Sequence, residues 1–507
     1  MSCTSGIEPL QLTFQDITLT NDGKAQSHGI AVQIGSPPQT FSLTPTTFMN
    51  NTFVNNIATC GSESNSTCVS IIGGGYDASA SSTFASSTYD AWNGSAESTE
   101  DAFIALAGSI YFNDILSVAA QKLSGFPLLI QANSNLNFYA GLGLGKNSSF
   151  ISQLFDDRVV PSRSWSLYPG MYSDTGAGSL IVGGYADRFY TGELQRRNVA
   201  DAENGPSWQV ASMEYQTDGS TVDLLPDGTA GQFTAYVDPY YPSMMVPDET
   251  FYRWGNATNG VSSNGTLQLH GYPLDNLPPG NVTITLTNGL KTTIPNEALF
   301  SPPAYDNGIL STMGGDTENT AYSAFMPLSS MYGQAAASIN SYASFGIPYA
   351  AMVYIIMDWE QKQLSIANAN QAAQISGDAI AICGSSSKDG ESSNTGAIAG
   401  GVVGGVVVLA LIAVLAWFLR RRKQKKATVG AGNTSPTDDK HGLMGSELPQ
   451  YSAVDRHSPN DKKNAIDSPA QEMPAPHVAT EMPGTQHALP QEMPTNNGKT
   501  FRSELPA

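Results

Sequence analysis

The chain has 507 residues and a formal net charge of −20, with 24 Lys and Arg against 44 Asp and Glu. Such a surface repels phosphate backbones, which argues against nucleic acid as a partner. Six histidines and four scattered cysteines are too few and too dispersed for a zinc site, so no metal and no cofactor is expected. An acidic exterior with few bases also suits an acidic medium.

Met1 to Gln11 has neither a basic n-region nor an apolar h-region and does not read as a signal peptide. The segments that follow nevertheless carry marks of export, so the true start is expected to lie upstream. From there to about residue 384 the chain reads mostly as strands. Short β-branched or aromatic runs alternate with Gly, Asn, Asp and Pro turns, as in Gly29 to Ile34, Ser179 to Val182, Val282 to Leu286 and Met352 to Met357. Helical segments are few: Ser149 to Phe155, and Asp248 to Trp254 after Pro247. Asn50, Asn65, Asn93, Asn147, Asn256, Asn264 and Asn281 each head an N-x-Ser/Thr sequon and are candidate glycosylation sites. Cys3, Cys60, Cys68 and Cys383 all precede residue 385, an even number that suits an oxidising compartment. At this length an all-β region is expected to form two lobes, residues 1–200 and 201–384.

Residues 385–396 form a Ser/Gly-rich polar stalk. Residues 397–419 carry no charge and are dominated by Val, Ala, Leu, Ile and Gly. A helix of about 20 such residues spans a hydrocarbon core. Trp417 suits the inner interface, and Arg420, Arg421, Arg422, Lys423, Lys425 and Lys426 follow it. This flank sets the C-terminal side in the cytoplasm. A single-pass protein of the plasma membrane or cell surface is expected, with its N-terminal region outside. Gly396, Gly400, Gly401, Gly404 and Gly405 give small-xxx-small pairs. They are read either as a homodimer interface or as the ordinary glycine content of membrane helices. Residues 420–507 are polar, Pro-rich and nearly free of aromatics, so a disordered cytoplasmic tail is expected. Its five Glu-Leu-Pro or Glu-Met-Pro triplets, from Glu447 to Pro506, are either short motifs for an unidentified partner or low-complexity drift.

An ordered set of motifs gives the N-terminal region a family resemblance. Ile30-Ala-Val-Gln-Ile-Gly35-Ser-Pro37-Pro38-Gln39-Thr-Phe41 resembles the opening hairpin of pepsin-like aspartic proteases. Ser81-Ser82-Thr83-Phe84 resembles the segment before their flap, and Gly141-Leu142-Gly143-Leu144-Gly145 their Gly-Leu-Gly-Leu turn. Gly178 to Tyr185 with Tyr190-Thr191-Gly192 resembles the hairpin closing the first lobe. Tyr354 to Asp358 with Gln363 to Ala367 resembles the last two strands. The resemblance covers roughly residues 25 to 370 and implies an all-β, bilobal fold with a cleft between the lobes. A disulfide between Cys60 and Cys68 is implied by the family's habit of bridging near this point. In that fold the terminal strands approach one another, which makes Cys3–Cys383 a second candidate bridge.

The family's chemistry needs one Asp from each lobe, each on an Asp-Thr-Gly loop. The pair shares a proton, because like charges so close cannot both ionise. The ionised member takes a proton from water and the protonated one donates to the scissile carbonyl. Counting on from Gly35 puts the first Asp at position 46, where this chain has Thr46, followed by Thr47-Phe48-Met49. The frame holds, since Phe53-Val54 fall where the family has Trp-Val. The second loop is Val237-Asp238-Pro239-Tyr240-Tyr241. Asp238 survives, but Pro-Tyr replaces Thr-Gly, and neither residue traces that loop freely. Gly346-Ile347 stands where the family has Gly-Asp. The flap tip has no counterpart; Tyr89 to Gly94 occupies its region, so a glycan on Asn93 would sit over the cleft mouth. Asp174-Thr175-Gly176 spells the catalytic tripeptide but falls too near Asp238 to be the other lobe's loop, and it is also an ordinary turn sequence.

Cleft candidates are Thr47, Phe48, Tyr240, Tyr241 and Trp92 beside Thr46 and Asp238. Three functions stay open. The first is a membrane-anchored, fungal-type, catalytically inactive member that binds an extended peptide or surface glycoprotein. The second is an active surface endopeptidase with altered motifs, and the third a structural cell-surface glycoprotein.

Overall fold

A computed structural model describes residues 6–61, 65–96, 109–131, 139–170, 178–228, 233–262, 268–301, 319–332 and 343–383. All belong to one compact unit, Met1–Gly405. Cys3, Asn264, the tripeptide Asp174–Gly176, the stalk, the apolar segment 397–419 and the tail lie outside the described residues. Among the described residues no helix is long and apolar enough to cross a membrane.

The structure is mostly β. The expected strands form at Gln26–Ile34, Ser179–Val182, Asn281–Leu286 and Val353–Asp358. The two expected helices form at Ser149–Asp156 and Asp248–Thr258. Their ends follow local chemistry. Ser148 Oγ caps the first by accepting from Ile151 N at 3.1 Å. Asn259, in the left-handed region at φ 56°, stops the second. Short helices at Ser66–Ile71 and Ile347–Ala350 carried no periodicity long enough to be read in advance.

Among the described residues, strands assemble into fourteen-, eight-, four- and two-stranded sheets. The larger two repeat one local design. In the first, Gln39–Thr46 runs parallel to Gly141–Gly143, with Thr46 opposite Gly143, and Phe53 of Thr52–Asn56 pairs antiparallel with Gly141. In the second, Phe233–Val237 runs parallel to Ala343–Phe345, with Val237 opposite Phe345, and Met244–Val246 pairs antiparallel with that same strand. Thr46 and Asp238 therefore leave equivalent strand ends. Glycine is needed where these units close. A Cβ on Gly143 would lie 2.7 Å from Asn51 O, and one on Gly346 would lie 2.2 Å from both Tyr241 O and Ser243 O.

The division at residue 200 is not clean. Val353–Asp358 and Gln363–Ala369, expected in the second lobe, complete the first sheet instead. Trp165 of Ser164–Tyr168 pairs with Met357, a register that depends on residues far apart in the chain. The first described strand and residues 374–378 are also tied together. Gln11 Nε2 donates to Ile375 O at 2.7 Å, and Arg188 donates to the carbonyls of Gln374, Ile375 and Asp378.

Candidate functional site

The site sits where the two strand ends meet. Thr46, Thr47 and Asp238 are fully buried, each at 0% exposure. Thr46 Oγ1 donates to Asp238 Oδ2 at 3.1 Å. Asp238 Oδ1 accepts from Thr47 N and from Tyr240 N, both at 3.1 Å. Asp238 N donates to Phe345 O at 3.0 Å, and Tyr241 N to Asp238 O at 3.3 Å. Position 46 and position 238 thus face each other, with a hydroxyl where the resembled family has its first carboxylate.

A threonine hydroxyl also ties the two loops together. Thr47 Oγ1 donates to Val237 O at 2.9 Å, tying the first loop to the second. The matching position on the second loop is Pro239, which has neither a hydroxyl nor an N–H to offer.

Tyr240 and Tyr241, at 0% and 3% exposure, fill the floor rather than line an open surface. Tyr240 OH reaches the first lobe and donates to Tyr139 O at 3.0 Å. Its ring meets the edge of Phe53, with centroids 5.5 Å apart. Tyr241 stacks on Phe48 at 6.0 Å and 5° between planes. Phe48 is partly exposed. The Tyr139 carbonyl is a partner that sequence reasoning missed, because a backbone acceptor leaves no mark in a motif.

Two expected site residues prove to be buried. Trp92 is 7% exposed, packs against Tyr111 at 4.9 Å and donates from Nε1 to Phe112 O at 3.0 Å. Its apolar ring is better served by that core contact than by solvent. Asn50 is a poor glycan acceptor in this fold. It is 4% exposed, donates from Nδ2 to Ala96 O at 2.9 Å and accepts from Asn147 N. A sugar on Nδ2 would break that bond and needs space that is filled. Asn65, Asn93, Asn147, Asn256 and Asn281 are exposed.

Cys60 and Cys68 form a disulfide, with Cα atoms 5.5 Å apart. Cys383 is also disulfide-bonded, and Cys3, its expected partner, is outside the described residues. Among the described residues no cluster of His, Cys, Asp and Glu is arranged to hold a metal ion.

Chemically the arrangement offers one buried carboxylate that accepts from two backbone N–H groups and from the Thr46 hydroxyl beside it. A paired mechanism needs a carboxylic acid to protonate the scissile carbonyl while a carboxylate takes the proton of water. Thr46 supplies a weak neutral donor and no titrating group in the working range of a carboxyl pair.

The chain belongs to the eukaryotic aspartyl proteases: the family model matches residues 27–369. Among solved structures it is similar to the aspartic proteinase from Irpex lacteus. That match has 16% identity and a TM-score of 0.46, covering 72% of this chain and 99% of that one. No curated protein matches it in sequence.

Proposed function

We propose that this is a membrane-anchored aspartyl protease homologue that binds an extended peptide or surface glycoprotein without cutting it. One observation carries the proposal: Asp238 is buried and receives its hydrogen bond from Thr46 at the place where the reaction needs a second carboxyl. Phe48, partly exposed on Tyr241, offers an aromatic surface to a bound segment. Backbone pairing along an extended segment gives affinity without chemistry. The anchor is the apolar stretch 397–419 with its basic flank, and the tail beyond it faces the cytoplasm.

Cleavage of unfolded protein by the purified chain, followed from pH 3 to 6, tests the loss of catalysis; that window brackets the carboxyl pKa range. No cleavage above the blank is expected from either the natural chain or Asp238→Asn. Cleavage by the natural chain that disappears in Asp238→Asn would overturn the proposal and restore the endopeptidase. The filled floor, Tyr240 and Tyr241, favours one other function, a structural surface glycoprotein. Retained cell-wall association with no binding to any member of an extended-peptide array would support it.

A further inference from the structure

The outer strand of the first sheet, Tyr190–Asn198, the strand Ser207–Gln216 and the turn after Leu286 flank an open cavity of about 520 Å³. Its walls include Arg196, Arg197, Trp208, Gln209, Thr234 and Asn288. The volume is in the range of small-ligand sites. It shares no residue with the Thr46–Asp238 site.

The chemistry of the walls is weighted toward donors. Arg197 is already committed: it bonds both carboxylate oxygens of Glu203 and the Ser207 carbonyl, and it lies 5.1 Å over the Trp208 ring. Glu203 is thereby saturated, accepting also from Ala200 N and Ser207 Oγ. Arg196 is different. It is exposed, and among the described residues its side chain makes no hydrogen bond or ion pair. Trp208 is 5% exposed, and its Nε1 has no protein partner. Asn288 Nδ2 is likewise buried and unpartnered, while its Oδ1 accepts from Leu290 N at 3.0 Å. Buried donors without acceptors cost free energy and call for an explanation. Gln209 and Thr234 stand opposite one another on neighbouring strands and add polar groups.

We propose that this cavity is a second ligand site, taking a carboxylate of a short acidic peptide segment. Arg196 pairs with the carboxylate in the forked geometry that guanidinium favours. Asn288 supplies a further donor. A peptide is favoured over an acidic sugar because one wall is a sheet edge. Among the described strands, Tyr190–Asn198 pairs only with Gln363–Ala369, so its other side offers backbone groups to an extended chain. The charge balance sharpens the choice. At net charge −20 most of this surface repels acids, so an uncommitted guanidinium in a polar cavity is where one can be held.

The test is calorimetric titration of the purified full-length chain with end-blocked tetraglutamate, with tetralysine and a galacturonate oligomer as comparisons. Saturable binding of tetraglutamate alone is expected, weakened roughly tenfold in Arg196→Gln, the loss of one charge-assisted pair. Asn288→Asp keeps the acceptor that closes its turn but replaces the donor with a repelling charge, and should weaken binding as well. Arg158→Gln, at an exposed arginine elsewhere, should leave affinity unchanged. Absence of saturable binding overturns the site, as does an equal loss in Arg158→Gln. Equal or tighter binding of the galacturonate overturns the peptide assignment. None of these outcomes bears on catalysis at Asp238, so the two proposals fail separately.

Discussion

At the scale of single residues, Asp238 changes meaning once its surroundings are known. In an active pair such a carboxylate is held ready to exchange a proton. Here its oxygens accept from Thr46 Oγ1, Thr47 N and Tyr240 N, so the carboxylate links the two loops, in keeping with the proposed loss of catalysis. Asp238→Ala strands these donors in a buried place and should cost about 3 kcal/mol or more. Asp238→Asn keeps Oδ1 for both backbone donors and turns Nδ2 toward the Thr46 hydroxyl, so it should cost about 1 kcal/mol. Urea midpoints of the two variants measure the difference; equal losses would show that the hydrogen bonds to Oδ1 do not hold the loop. The substitutions at 46 and 239–240 were legible in the sequence, because the flanking motifs fix their frame. How Tyr240 fills the freed space was not: its hydroxyl bonds a carbonyl, Tyr139 O, 101 residues away in the chain.

At the scale of elements, what was legible is what is local. Alternating β-branched runs between turn residues marked strands such as Ser179–Val182. The helical segment expected at Ser149 to Phe155 forms as Ser149–Asp156. Sheet order was not legible, since the pairing of Trp165 with Met357 is decided by packing and leaves no local signal. The cap of Ser149–Asp156 also links two levels of structure. Ser148 Oγ accepts from Ile151 N and donates to Gly143 O at 2.6 Å, so it joins the helix to the strand that lies beside Thr46. Ser148→Ala should lose about 1–2 kcal/mol. It should also speed amide exchange at Ile151 while leaving exchange in Asp248–Thr258 unchanged. Uniform acceleration across both helices would mean that the cap acts only through global stability.

For the molecule as a whole, the buried titrating groups make stability depend on pH in opposite directions. Burial raises the pKa of Asp358, and burial together with the charge of Asp358 raises that of Glu360. A carboxyl whose folded pKa lies above its unfolded value contributes stability that is whole below that value, near 3.8 for Asp358. The contribution is lost as pH rises through the folded pKa. His270 works from the other side. It is 4% exposed, stacked at 4.0 Å on Phe251, and burial lowers its pKa. Its contribution is whole above 6.5, the unfolded value, and is lost as pH falls through the folded pKa. Between pH 3.8 and 6.5 the two contributions therefore change in opposite directions, the carboxyl one falling and the His270 one rising as pH increases. The carboxyl limb can be removed on its own. Asp358 Oδ1 accepts from Glu360 N at 3.0 Å and Gln361 N at 2.9 Å, and asparagine keeps that acceptor without the buried charge. Asp358→Asn should therefore raise Tm by a few degrees at pH 7 and leave it unchanged at pH 3, where the carboxyl is protonated in both states. A gain of equal size at both values would mean that the effect is packing; a loss at pH 7 would mean that the ionised carboxylate is worth more to its two backbone donors than its burial costs.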